Sequence, residues 1–176
     1  LYRLEMPLAT PYKLSFGPVT RFDTILVEAQ DDDGRIGLGE ATLLTGYTDE
    51  TIDGAWDLMQ RLAAGFPGLA PERCVELVAG VVEAAPFAAT GLTTAMEMLQ
   101  SSSWLRVNDP TCVPLLGVVN GSEVRELEVE VARLLDEGFG TLKVKVGFDA
   151  DHDARRVRLI QRIVAGRCLL RLDANQ

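Results

Sequence analysis

Thr141-Leu-Lys-Val-Lys-Val-Gly147 and, one helix later, Leu169-Leu-Arg-Leu-Asp173 decide the fold. Both read as strands, and a strand sends successive side chains to opposite faces. Leu142, Val144 and Val146 therefore share one face, and Lys143 and Lys145 share the other. Between the two runs, Val157, Ile160, Ile163 and Val164 recur at helical spacing until Gly166. Upstream, Val124, Leu127, Val131, Leu134 and Leu135 mark an amphipathic helix ended by Gly138. Before it, Val113 to Val119 is a short apolar run closed by Asn120-Gly121. Strand, helix, strand, helix, strand at this pitch predicts parallel βαβ units.

The chain before Asn108-Asp-Pro110 has a different character. Tyr12 to Phe16 reads as a strand ending at Gly17-Pro18, and Thr24 to Gln30 as a second. Asp32-Asp-Gly34 is a turn, and Ile36 to Ala41 is the returning strand. Thr48-Asp-Glu50 looks like a helix start, with Ile52, Trp56, Met59 and Leu62 on one face and Gly65-Phe-Pro67 as the stop. Pro71 opens a second helix to about Glu83, and Pro86 a third to about Trp104. The expected organisation is an α+β domain over residues 1–110 and an α/β segment over 111–176.

A three-strand parallel sheet leaves an open edge and uncovered apolar surface. A closed parallel barrel takes about 250 residues. The second segment therefore reads as the start of a barrel, truncated after its third strand. Such a segment is expected to be unstable as an isolated monomer, because apolar area left in water costs roughly 25 cal/mol per Å².

The 176 residues are 47% hydrophobic and 24% charged, which suits a globular protein. No apolar run approaches the ~18 residues of a membrane span, and the opening residues lack the pattern of a secretory signal. The net charge is −9 with scattered basic residues, so a surface that tracks nucleic-acid phosphates is not expected. Cys74, Cys112 and Cys168 lie far apart without CxxC spacing, which points to a reducing, cytoplasmic setting. One histidine, His152, excludes a His-rich metal site within the chain.

Two signals carry chemistry. The apolar face of Thr141–Val146 must meet the helices, so both lysines face the interior of the sheet's other side. Adjacent cations and desolvation both disfavour protonation, which moves a lysine towards a useful base pKa. The same triplet also describes a strand end with both lysines in water. The second signal is Asp173-Ala-Asn175, whose polar side chains share one parity with Arg171. It sits at the C-terminal end of a strand, where parallel barrels place their sites. A carboxylate there can hold Mg²⁺, although Asp-x-Asn is also an ordinary entry to a loop.

Together the two signals resemble a known family. Thr141-Leu-Lys-Val-Lys-Val-Gly147 and Leu170-Arg-Leu-Asp-Ala-Asn-Gln176 are similar to the second- and third-strand motifs of the enolase superfamily. The Lys-x-Lys form resembles the muconate-lactonizing-enzyme subgroup, and Asp33-Gly-Arg-Ile-Gly-Leu-Gly-Glu-Ala41 resembles the hairpin of its capping domain. The resemblance implies an α+β N-terminal capping domain followed by the start of a (β/α)7β TIM-like barrel. It implies an isomerase that abstracts the proton alpha to a substrate carboxylate through a Mg²⁺-stabilised enediolate, with Mn²⁺ as a substitute ion. By the same resemblance Lys145 is the base, and Lys143 tunes it and contacts the substrate carboxylate. Asp173 is the first of three metal ligands, and Asn175 orients the site. The remaining ligands and an opposite-face lysine belong to later strands.

Specificity is expected from the capping-domain loops Pro18–Asp23 and Leu44–Thr48, through Phe22, Leu44 and Tyr47. Packing within the cap's own core is the other use for these three. Muconate-type cycloisomerisation and epimerisation or racemisation lead, followed by a dehydrating synthase of the succinylbenzoate type. A non-catalytic binding protein on the same scaffold is the alternative of another class. The expected partner is a small carboxylate, and the expected state a homo-oligomer.

Other motifs are set aside. Gly37-x-Gly39 lacks the rest of a nucleotide fingerprint and is better explained by a strand packed closely on another backbone. Asp149, Asp151 and Asp153 lack the glycine and glutamate of a calcium loop and suit an acidic helix start. His152 lies in that turn. Met96 and Met98 suit core or interface packing, and Ser101-Ser-Ser103 is not set in a nucleophile elbow.

Overall fold

The computed structural model describes residues 1–14, 17–44, 46 and 48–174. It divides into two compact units, Leu1–Tyr12 with Pro18–Asn108, and Lys13–Gly17 with Asp109–Gln176.

The first unit begins with a three-stranded sheet in the order β1 (Tyr2–Leu14), β2 (Gly17–Gln30), β3 (Ile36–Leu43). β2 and β3 are antiparallel, pairing Thr24 with Thr42 and Val27 with Gly39. Their turn is fixed by Asp31, whose carboxylate accepts from the Asp33 and Arg35 N–H groups at 3.1 and 2.9 Å. β1 starts ten residues before the expected strand, at Tyr2 rather than Tyr12. Pro18–Asp23 is strand as well, not a loop. Most side chains of this early ribbon are exposed, so no buried face imposes the alternation that betrays a strand.

Three helices follow. α1 (Ile52–Ala63) is capped by Thr51, whose Oγ1 accepts from Gly54 N–H, and so starts later than the expected Thr48. α2 (Pro71–Ala79) stops short of Glu83 at Gly80. α3 (Pro86–Leu99) stops short of Trp104, because Ser101 takes a positive φ and a 3-10 turn over Ser103–Leu105 follows. Both proline-opened helices use proline where its missing N–H costs nothing.

α3 lies directly on β3. A Cβ built at Gly37 would run into the Ala95 carbonyl, and one at Gly39 into that of Gly91. The glycine pair is thus spent on backbone-to-backbone packing. Around this contact Ile25, Val27, Ala41, Met59, Val78, Leu92 and Ala95 form the core. Met96 joins them, whereas Met98 is exposed. The buried Glu50 carboxylate accepts from the N–H groups of Phe87 and Ala88, closing the N-terminus of α3.

The second unit runs β4 (Gly117–Val119), α4 (Val124–Asp136), β5 (Thr141–Lys145), α5 (Ala150–Val164), β6 (Leu169–Asp173). Its sheet is parallel in the order β4-β5-β6. β4 is shorter than the apolar run that foretold it, and Val113 and Leu115 are exposed. Pro114 lacks the N–H a ladder needs. Leu142 and Val144 pack with Leu127, Val131, Ile160 and Val164 of the two helices. That uses one face of β5 and leaves its lysines on the other.

Candidate active site

The parallel register sets Lys143 opposite Arg171 and Lys145 opposite Asp173. All four side chains share the face turned away from the α4–α5 layer. Lys145 is buried, with 7% of its surface exposed. The Lys143 ammonium lies 2.7 Å from an oxygen of Asp173, with both side chains 27% exposed. The structure thus brings Lys143, Lys145 and Asp173 together at the C-terminal end of neighbouring strands. Asn175 lies outside the described residues.

The strand ends are fixed by the backbone. Val146 N–H donates to the Asp173 carbonyl at 2.9 Å. Gly147 follows with φ +99°, and a Cβ there would come within 2.7 Å of the Ala174 carbonyl oxygen. Only glycine turns the chain this tightly against the end of β6.

Beneath the strand ends lies a set of charges that the sequence motifs did not point to. Asp153 accepts from the Gly147 and Phe148 N–H groups at 2.8 and 3.0 Å. Burial pushes its carboxyl pKa up, but backbone donors from Gly147, Phe148 and Asp149 outweigh this and hold it below the ordinary aspartate range. Glu130 accepts from the N–H groups of Asn120 and Gly121 at 3.0 and 2.8 Å. Arg156 donates to the carbonyls of Gly121, Lys145 and Val119 at 2.8, 3.0 and 2.9 Å. Burial lowers the pKa of that guanidinium, opposed by Glu130 and Asp153. A signal for this set was present. Asp153 and Arg156 fall on the stripe of α5 that continues through Val157, Ile160 and Val164, where a charge needs a partner.

The acidic triplet is a helix start, as expected. Asp149 caps α5 by accepting from His152 N–H at 2.6 Å, while the His152 side chain is half exposed. Phe22 is half-buried within β2, and Leu44 is half-buried just past β3. Tyr47 lies outside the described residues.

Among the described residues no cluster of three or more His, Cys, Asp or Glu side chains forms a metal cage. Asp173 supplies one carboxylate of the hard oxygen type that Mg²⁺ takes, already drawn to a cation at Lys143. The residues present fit one ligand position of such a site.

No family model matches the chain. A curated relative, the L-Lys-D/L-Arg epimerase of Methylococcus capsulatus, is 30% identical over 98% of this chain and 51% of its own length. The solved dipeptide epimerase from Methylococcus capsulatus, complexed with Mg and the dipeptide L-Arg-D-Lys, matches at 27% identity with a TM-score of 0.82. That match covers 99% of this chain and 52% of the solved one. A mandelate racemase/muconate lactonizing protein from Herpetosiphon aurantiacus shares the fold at TM-score 0.84 and 24% identity, over 98% of this chain and 51% of that one. The chain spans about half the length of the relatives it matches. With a strand-borne lysine pair and a carboxylate at the next strand's end, the chain is similar to epimerases over about half their length, and it has the fold of a capping domain followed by the first strands of a parallel barrel.

Proposed function

We propose that the chain contributes the proton-transfer face of an isomerase, an epimerase or racemase that removes and returns the proton alpha to a substrate carboxylate. One observation carries the reading: a buried lysine, Lys145, shares a sheet face with the Lys143–Asp173 pair at the C-terminal strand ends. The relatives' names favour a dipeptide or related amino-acid derivative over a muconate.

Lys145 takes the proton on Nζ and returns it. Lys143 supplies a second ammonium for the substrate carboxylate, and Asn175 orients the group beside Asp173. Asp173 would give Mg²⁺, or Mn²⁺ in its place, one carboxylate ligand. Bound there, the ion would stabilise negative charge on the substrate's carboxylate oxygens as the proton leaves. Phe22, Leu44 and Tyr47 are the proposed specificity residues of the cap. All three cysteines are free, and no helix among the described residues is long and apolar enough to cross a membrane. Free thiols support a reducing, cytoplasmic setting, and a homo-oligomer is the proposed state.

The test is deuterium incorporation from D₂O at the substrate α-carbon, run beside metal titration in the full-length protein. Lys145→Ala is expected to slow exchange by on the order of 10²–10⁴ while metal affinity holds. Asp173→Ala is expected to weaken metal binding. Both enantiomers must be assayed, because a base on the opposite face would sustain exchange from one of them. Parent-rate exchange of both by Lys145→Ala would overturn the assignment.

A further inference from the structure

We infer that Arg156 is a positioning residue for Lys145, acting through the main chain. This rests on the proposal that Lys145 is the proton acceptor. The last carbonyls of a parallel strand have no ladder partner beyond the strand's end, and a buried carbonyl needs a donor. Val119 ends β4 and Lys145 ends β5, and Arg156 reaches both of their carbonyls as well as that of Gly121. One planar guanidinium therefore ties two adjacent strand ends and the loop after the first of them.

Lys145 is held from both sides. Its own carbonyl accepts from Arg156, and the second and third N–H groups after it, those of Gly147 and Phe148, are taken by Asp153. Both clamping side chains stand on α5, one turn apart. Fixing the carbonyl and the following amides fixes the peptide plane at Lys145. That sets the direction in which its Cα–Cβ bond leaves the strand. The ammonium stands at the end of four flexible carbons, so this direction determines where Nζ can reach. The fork shape of the guanidinium is essential, because an ammonium cannot hold the same three carbonyls in fixed directions.

The experiment compares Arg156→Met, Arg156→Lys and Ile160→Val in the full-length protein. Ile160 is fully buried on the same helix and has no part in the polar set. It serves as a control for core loosening. Each variant is read by thermal unfolding and by kcat and KM for α-proton exchange. A base displaced by a fraction of an ångström to an ångström loses up to about 100-fold in rate. Both Arg156 variants are therefore expected to lose roughly 10- to 100-fold in kcat with KM within about twofold. Arg156→Lys recovers part of the stability lost in Arg156→Met but little of the rate. Ile160→Val is expected to lose stability and keep kcat.

If Arg156→Lys keeps the parent kcat, or if kcat falls equally in Ile160→Val, Arg156 is a structural residue only and the inference fails. If neither Arg156 variant folds, Arg156 is a folding residue and the inference fails as well. A parent protein that shows no exchange overturns the functional reading and this inference together. A parent that exchanges beside an equally fast Arg156→Lys overturns this inference alone.

Discussion

In the first unit the sheet and its main helix meet backbone to backbone, through glycines with no room for a side chain. In the second unit the sheet meets its helices through Leu142 and Val144, while the opposite face carries two lysines and a carboxylate. The buried carboxylate of the first unit, Glu50, is consumed by closing a helix. Those buried in the second are arranged around strand ends. A charge in a packed interior needs hydrogen-bond partners wherever it sits. What separates the two sets is whether those partners belong to a helix end or to the strand that carries the proposed base.

The sharpest way to break the contrast is Gly39→Ala. In an ordinary strand interior this change is neutral or stabilising. Here the new methyl collides with the Gly91 carbonyl, and a rigid backbone has little freedom to yield. A loss of about 3 kcal/mol is expected, read as a drop in the urea midpoint. Amide protection should fall in β3 and α3 and persist in β5. Equal loss of protection in both units would mean that they unfold as one and would dissolve the contrast.

A smaller effect, confined to the second unit, comes from Asp153→Asn. The neutral amide keeps an acceptor but loses charge-assisted bonds to two N–H groups, a cost of about 1–3 kcal/mol at neutral pH. The pH dependence has a definite sign. Asp153 has a folded-state pKa below its unfolded value of about 3.9. Its contribution is therefore fully present above pH ~4 and is lost as pH falls through the lower folded value. The stability gap between parent and variant should narrow in that acid window and stay level above it. A gap that widens on acidification would reverse the assignment.

The smallest effect is a gain. Ala165 ends α5 in the left-handed region, φ 48° and ψ 40°, where a Cβ is penalised. Ala165→Gly is expected to raise stability by about 0.5–1 kcal/mol, visible as a higher urea midpoint with an unchanged slope.

The second unit was legible in the sequence almost element by element. Its strands are covered on one face by amphipathic helices, so each burial choice is written as periodicity, and Gly138 and Gly166 mark where helices stop. The Gly37-x-Gly39 spacing was also readable as close packing. The early ribbon was not, because strands that bury little leave no pattern. The convergence of Lys143, Lys145 and Asp173 followed from strand parity alone. The Arg156, Asp153 and Glu130 set escaped because attention to charges at strand ends overlooks charges on a helix's buried stripe. Such charges spoil amphipathicity only slightly and become meaningful once their hydrogen-bond partners are known.

The lysine pair has a consequence for chemical labelling. Of the seventeen basic residues other than histidine, three are lysines, at 13, 143 and 145, and the rest are arginines. Arginine meets the needs of surface charge, so side-chain amines are left almost entirely to one strand. Within residues 1–176, reagents that acylate or methylate amines would therefore address β5 and Lys13. The half-exposed Lys143 should react ahead of the buried Lys145. Isotopic methyl groups installed this way would give few resonances from residues 1–176, two of the three lysine signals reporting on the strand that carries the proposed base.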